Sequence, residues 1–161
     1  MSGEKTIELV VNGRRHRAAF PPHRTLLEAL RELGYRDVKS GCEKGDCGAC
    51  AVLVEGEAID SCLTLAWTVE GRAVTTCAGL GSAVHPHPLQ EAFARLGAVQ
   101  CGYCTPGLII ASESLLRRSG DPDDEEIRRA LCGNLCRCTG YGKVFEAVKE
   151  AARARAAGER E

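Results

Sequence analysis

The first half of the chain alternates apolar and polar residues as strands do, and the second half repeats them at helical spacing. Thr6 to Val11 alternates, Asn12-Gly13 offers a two-residue turn, and Arg14 to Phe20 returns, which predicts a β-hairpin. Thr25-Leu26-Leu27-Glu28 has the form of a capping box, opening a helix to about Leu33 that Gly34 stops. Ala51 to Val54 and Ala58 to Asp60 flank the turn-like Glu55-Gly56-Glu57, and Arg72 to Thr76 is a further short strand. These elements predict a small mixed sheet with one helix.

Beyond Gly79-Leu80-Gly81-Ser82 the spacing is helical. Pro88 to Leu96 is a short amphipathic segment, and Thr105-Pro106 starts a longer helix to Arg118, with proline tolerated in the first turn. Ser119-Gly120-Asp121-Pro122 breaks the chain. Asp123 then caps a helix through Leu131, with Glu126 at its third position. Lys143 to about Ala156 is the last helix, and the charged tail after it is expected to fray. The expected organisation is α+β, with one domain over 1–80 and another over 81–161.

Composition narrows the function. Apolar residues make up 44% of 161, enough for a core, and aromatics only 4%, so that core is aliphatic. A net charge of −1 gives no basic excess for nucleic acid or an anionic membrane surface. No apolar run approaches the roughly 20 residues of a membrane span. Met1 to Val11 lacks the apolar stretch of a secretion signal, so a cytoplasmic protein is expected. The chain offers no Gly-rich phosphate loop and no nucleophile–base pair, hence no catalytic site of its own. Gly79-x-Gly81 has no third glycine and no βαβ setting. Asp121 to Glu126 reads as helix-start capping.

The ten cysteines carry the chemistry. A cytoplasmic chain keeps thiols reduced, so close-spaced cysteines point to metal or redox centres rather than disulfides. Cys42-x4-Cys47-x2-Cys50, closed by Cys62, is the plant-type ferredoxin spacing for a [2Fe–2S] cluster. A zinc site would instead favour two separate Cys-x2-4-Cys knuckles. Glycines 41, 45 and 48 let the loop bring backbone N–H groups toward sulfur, and Lys39 and Lys44 offset cluster charge. Cys101-x2-Cys104 and Cys136-x-Cys138 form a second set, both pairs beside helix ends where thiolates are favoured. Spacing alone leaves zinc and [2Fe–2S] equally open there. His16, His23, His85 and His87 have no cysteine or carboxylate partner in sequence and read as non-ligands.

Gln100-Cys101-Gly102-Tyr103-Cys104-Thr105-Pro106-Gly107 and Gly133-Asn134-Leu135-Cys136-Arg137-Cys138-Thr139-Gly140-Tyr141 decide the second set. With the first motif, they resemble the small iron–sulfur subunit of the molybdenum hydroxylases, the xanthine dehydrogenase and aldehyde oxidoreductase family, over about residues 5 to 152. Ala58-Ile59-Asp60-Ser61-Cys62-Leu63 and Ile127-Arg128-Arg129 lean toward bacterial xanthine dehydrogenase. The resemblance implies a β-grasp ferredoxin-like domain followed by a four-helix bundle, each with a [2Fe–2S] cluster. It implies that Cys101, Cys104, Cys136 and Cys138 face a molybdopterin subunit, with Gln100 contacting the pterin. Cys42, Cys47, Cys50 and Cys62 would face an FAD subunit, in a dimer of heterotrimers. Aldehyde, carbon monoxide and other N-heterocycle dehydrogenases share the pattern. A zinc-stabilised scaffold and a free-standing two-cluster ferredoxin are the rivals. Cys77 and Cys132 match no family ligand position and are expected to be buried core thiols.

Overall fold

The computed structural model describes residues 3–158. Strands β1 (Lys5–Val11) and β2 (Arg14–Phe20) form the expected hairpin. Asn12 and Gly13 both take positive φ, at 50° and 75°, which matches the twist of a two-residue turn. Strands β3 (Ala51–Val54) and β4 (Glu57–Asp60) form a second hairpin. Its turn is Glu55-Gly56 alone, at φ 52° and 90°, so Glu57 belongs to the strand rather than the turn. With β5 (Ala73–Thr75), the sheet order is β2-β1-β5-β3-β4. β1 and β5 run parallel and every other pair is antiparallel.

Helix α1 (Leu26–Glu32) starts with the predicted capping box. The Glu28 amide donates to Thr25 Oγ1 at 3.2 Å, and the Thr25 amide donates to the Glu28 carboxylate at 2.9 Å. Leu26, Leu27, Ala29 and Leu30 then pack on Ile7, Leu9, Val11 and Val52 of the sheet in one core. A 3-10 turn (Ala66–Val69) and the short helix α2 (Cys77–Leu80) lie where no element was expected, because elements of four residues leave no periodicity to read.

Helices α3 (Pro88–Arg95), α4 (Thr105–Arg118), α5 (Asp124–Leu131) and α6 (Gly142–Gly158) form the second unit around Leu89, Phe93, Leu108, Ile127, Val144 and Val148. Asp123 caps α5 as predicted, with the Glu126 amide on its carboxylate at 2.8 Å. The last helix runs on to Gly158 rather than ending near Ala156; the rest of the charged tail, 159–161, lies outside the described residues. Among the described residues no helix is long and apolar enough to cross a membrane.

α4 joins the units. It is buried from Gly107 through Leu116, because helices α3 and α5 and strands β3 and β4 all pack against it. All four residues of β3 are buried: Val52 and Val54 enter the sheet core, while Ala51 and Leu53 meet Ile110 of α4. Burial this complete includes a charge. Glu113 is 2% exposed, and Arg117 Nε at 2.7 Å and Arg155 at 2.8 Å satisfy its carboxylate.

His87, read from the sequence only as a non-ligand, is the N-cap of α3. Its Nδ1 accepts the Leu89 amide at 3.3 Å, so Nε2 carries the proton and faces Glu113 Oε2 at 3.4 Å. Burial lowers the His87 pKa below its ordinary 6.5; Glu113 opposes the shift, and Arg155 and Arg117 add to it. The unfolded chain therefore binds a proton that folded His87 refuses. This contribution to stability is complete above about pH 6.5 and falls as pH drops below it. Thermal midpoints followed from neutral pH downward should decline in wild type and decline less in His87→Gln. Superimposable pH curves would remove His87 from this account.

Candidate iron–sulfur centres

The loop from Gly41 to Cys50 folds around its own sulfurs. Glu43, Gly45 and Gly48 take positive φ, which turns successive N–H groups inward. The amides of Lys44 and Asp46 donate to Cys42 Sγ at 3.4 and 3.3 Å. The Lys44 amide is the main reason that the Cys42 thiol is drawn down to about 7. The φ of +80° at Gly45 is one that side-chain-bearing residues rarely adopt, which favours glycine there. Cys47 lies beside Cys42. Cys50 and Cys62 make the other pair, both buried at the foot of the sheet. Ser61 donates to the Cys50 carbonyl at 2.7 Å and fixes that pair. Burial pushes the Cys50 thiol up to about 12.

The second set is assembled from two distant segments. Cys104 is the N-cap of α4, with Cys101 one turn earlier; Cys136 and Cys138 sit in the loop between α5 and α6. Cys101 Sγ and Cys138 Sγ are 3.7 Å apart, and Cys104 lies against Cys136. Burial raises the Cys104 thiol to about 12. Burial would raise Cys136 too. The Thr139 hydroxyl at 3.1 Å and the Thr139 amide at 3.4 Å outweigh it and bring Cys136 down to about 7.

Both sets share one chemistry: two cysteine pairs, N–H or O–H donors on one sulfur, and one thiol that burial keeps protonated. Ionising all four together requires a compensating cation. Two pairs of sulfurs suit a centre with two metal atoms, each taking one pair. Among the described residues, no three Cys, His, Asp or Glu side chains close on a single ion position.

The remaining predicted residues fall as follows. Gln100 and Arg137 are exposed beside the second set, and neither has an ion pair or side-chain hydrogen bond among the described residues. His16 bonds the Tyr35 hydroxyl at 2.7 Å, and His85 is exposed. His23 shares a cavity of about 280 Å³ with Cys62 and Glu43. Gly79 packs on Asn12, and Gly81 on His87 and Gln90. Cys77 is half-buried where α2 meets α4, and burial raises its thiol to about 11. Cys132 departs from expectation: it is exposed at the end of α5, on the rim of an apolar cavity of about 330 Å³ with Leu131, Tyr141 and Phe145. It pairs with no other cysteine among the described residues. Cys132→Ser should therefore leave iron content and spectra unchanged; a lost spectral component would place Cys132 among the ligands. The sequence also hid two contacts, between Leu135 and Cys47 and between Asn134 and Gly48, because they span the two units.

A small iron–sulfur protein is the class that this fold and these centres define. Residues 9–80 match the family described as 2Fe-2S iron-sulfur cluster binding domain, and residues 76–149 match the [2Fe-2S] binding domain. The chain is 45% identical over 147 residues to the nicotinate dehydrogenase small FeS subunit of Eubacterium barkeri, covering 91% of this chain and 94% of that one. It is 46% identical over 145 residues to the xanthine dehydrogenase iron-sulfur-binding subunit of Escherichia coli O157:H7, covering 89% and 91%. In quinoline 2-oxidoreductase from Pseudomonas putida 86, a chain superposes with TM-score 0.91 at 39% identity, over 98% of each chain. The chain belongs to the small iron–sulfur subunits of the molybdenum hydroxylase family.

Proposed function

We propose that this chain is the electron-transfer subunit of a molybdenum-containing hydroxylase, working between a large molybdopterin-binding subunit and a medium FAD-binding subunit. Cys42, Cys47, Cys50 and Cys62 hold one [2Fe–2S] cluster, and Cys101, Cys104, Cys136 and Cys138 hold the other. A [2Fe–2S] cluster supplies a one-electron redox couple whose potential follows local charge, hydrogen bonds and solvent exposure. The chain sets those terms. The amides of Lys44, Asp46 and Thr139 donate to sulfur, as does the Thr139 hydroxyl.

The observation that carries this reading is the pairing of sulfurs in both sets, with backbone donors already aimed at Cys42 and Cys136. Exposed apolar side chains support the partners. Leu63 stands beside Cys62, Val99 and Tyr103 beside Cys101 and Cys104, and Leu135 beside Cys136. Such a surface fits burial by another chain. Gln100, exposed next to Cys101, is the residue proposed to contact the pterin. The relatives' names, nicotinate dehydrogenase, xanthine dehydrogenase and aldehyde oxidoreductase, point to an N-heterocycle as substrate class, with aldehydes as the second. A dimer of heterotrimers in the cytoplasm is the assembly proposed. Purification of the native complex tests it. The chain should elute with two larger subunits carrying molybdopterin and FAD; elution of the cluster-loaded chain alone, as a monomer, would favour a free-standing ferredoxin.

Arg137 lies between Cys136 and Cys138 and is exposed. Its positive charge stabilises the reduced cluster, which carries one more negative charge. Arg137→Gln should lower the midpoint potential of that cluster in a redox titration and leave the other in place. An unchanged potential would show that solvent screens the guanidinium fully.

A further inference from the structure

Tyr141 stands in a backbone conformation that its residue type resists. Its φ is +66°, in the left-handed region, where a bulky side chain is an outlier. Among the described residues, three other non-glycine residues share that region. Asn12 and Glu55 do so in hairpin turns, and Glu43 in the first cysteine loop. Tyr141 instead precedes α6, and its carbonyl accepts the Phe145 amide at 3.0 Å. An extended Ser, Thr, Asp or Asn is the usual residue at such a start. Backbone strain persists only where the surroundings over-determine it, and it gathers at functional sites.

The surroundings here are the loop that carries Cys136. The Tyr141 hydroxyl accepts the Cys136 amide at 2.7 Å and donates to the Asn134 carbonyl at 2.8 Å. It stands between the two backbone groups that flank Leu135, which would otherwise face each other in a three-residue turn. The Tyr141 amide donates to Thr139 Oγ1 at 3.3 Å, and that hydroxyl donates in turn to Cys136 Sγ at 3.1 Å. The ring packs on the core of the second unit. Both polar ends of one residue therefore act on one ligand, the amide through Thr139 on its sulfur and the hydroxyl on its backbone.

We infer that Tyr141 is the positioning residue that sets how many hydrogen bonds reach the sulfurs at Cys136, and through them the potential of the second cluster. This rests on the two-cluster reading above. The reduced cluster carries one more negative charge, so each donor on sulfur favours it and raises the potential. The Tyr141 hydroxyl keeps the Cys136 N–H on an oxygen and away from sulfur. The Tyr141 amide polarises the Thr139 hydroxyl and aims it at sulfur. Without the phenol oxygen, the Cys136 N–H turns toward the anionic sulfurs beside it.

The test uses the full chain with both clusters loaded. Tyr141→Phe keeps the ring and its packing and removes the hydroxyl alone. A redox titration followed by EPR should show the second cluster's midpoint raised and the first unchanged. Proton ENDOR of the reduced chain, before and after exchange into D2O, should show one more exchangeable proton coupled to the second cluster than in wild type. A tyrosine that only packs would move neither. Thr139→Val removes a donor instead of adding one and should lower the same midpoint. An unchanged or lowered midpoint in Tyr141→Phe overturns the inference, as does an unchanged count of exchangeable protons or an unchanged midpoint in Thr139→Val. Loss of the second cluster in Tyr141→Phe also overturns it, since the hydroxyl would then hold the ligand loop together rather than tune it. A wild-type chain with a single cluster signal would instead defeat the two-cluster reading itself.

Discussion

Cys136→Ala should remove one of two clusters and leave the other intact. Cys136 is the sulfur on which the second set converges. Thr139 donates to it twice, Cys104 lies against it, and its own amide is held by the Tyr141 hydroxyl. Without it, one metal atom has a single protein sulfur. The remaining three thiols include Cys104, which burial holds protonated up to about 12 and which ionises only with a metal beside it. The first set shares no ligand with the second, and its core of Ile7, Leu9, Leu26 and Val52 is separate. Iron should fall from about four to about two atoms per chain, with one of two EPR signals lost. Full iron and both signals would mean that another residue, Cys132 being nearest in sequence, serves as ligand.

The second large effect is on stability. Glu113 is buried with two arginines on its carboxylate, Arg117 from its own helix and Arg155 from α6. Arg155→Met leaves the carboxylate in place with half its compensation. Breaking a buried pair from one side costs about 3 kcal/mol, because the remaining charge has no water. For a unit of this size that lowers the melting midpoint by roughly 15 °C. The double variant Glu113→Leu/Arg155→Met should recover most of the loss, since the buried charge goes with its partner. A single variant that melts like wild type would show that Arg117 and His87 suffice. A double variant as weak as the single one would show that Arg155 acts through packing.

Much of the fold was legible because local chemistry agreed with tertiary structure. Asn12-Gly13 accepts positive φ at two successive positions, and Thr25 with Glu28 and Asp123 with Glu126 satisfy helix-end donors within three residues. The first ligand set was legible for the same reason, since three of its cysteines lie in one loop. The second set could be named from its paired cysteines, but its chemistry came only from the resemblance, because Cys104 and Cys136 meet through the packing of α4 against α5 and spacing alone allowed zinc as readily as iron. His87 as a helix cap was hidden, since histidine carries no strong capping preference and its setting depends on Glu113. The joint between the units was hidden too. It uses backbone groups of Cys47, Gly48 and Leu135, which have no sequence signature. Cys132 was expected to be a core thiol because it matches no ligand position and free cysteines are commonly buried, but the end of α5 presents it to solvent.

The central claim is that eight cysteines hold two separate [2Fe–2S] clusters. EPR of the dithionite-reduced chain, with iron and zinc measured on the same sample, tests it most directly. The account predicts a brown protein with about four iron atoms and two distinct spin-½ signals. A single signal with about two irons would confine the claim to the loop before Gly79, and a colourless zinc protein would contradict it outright.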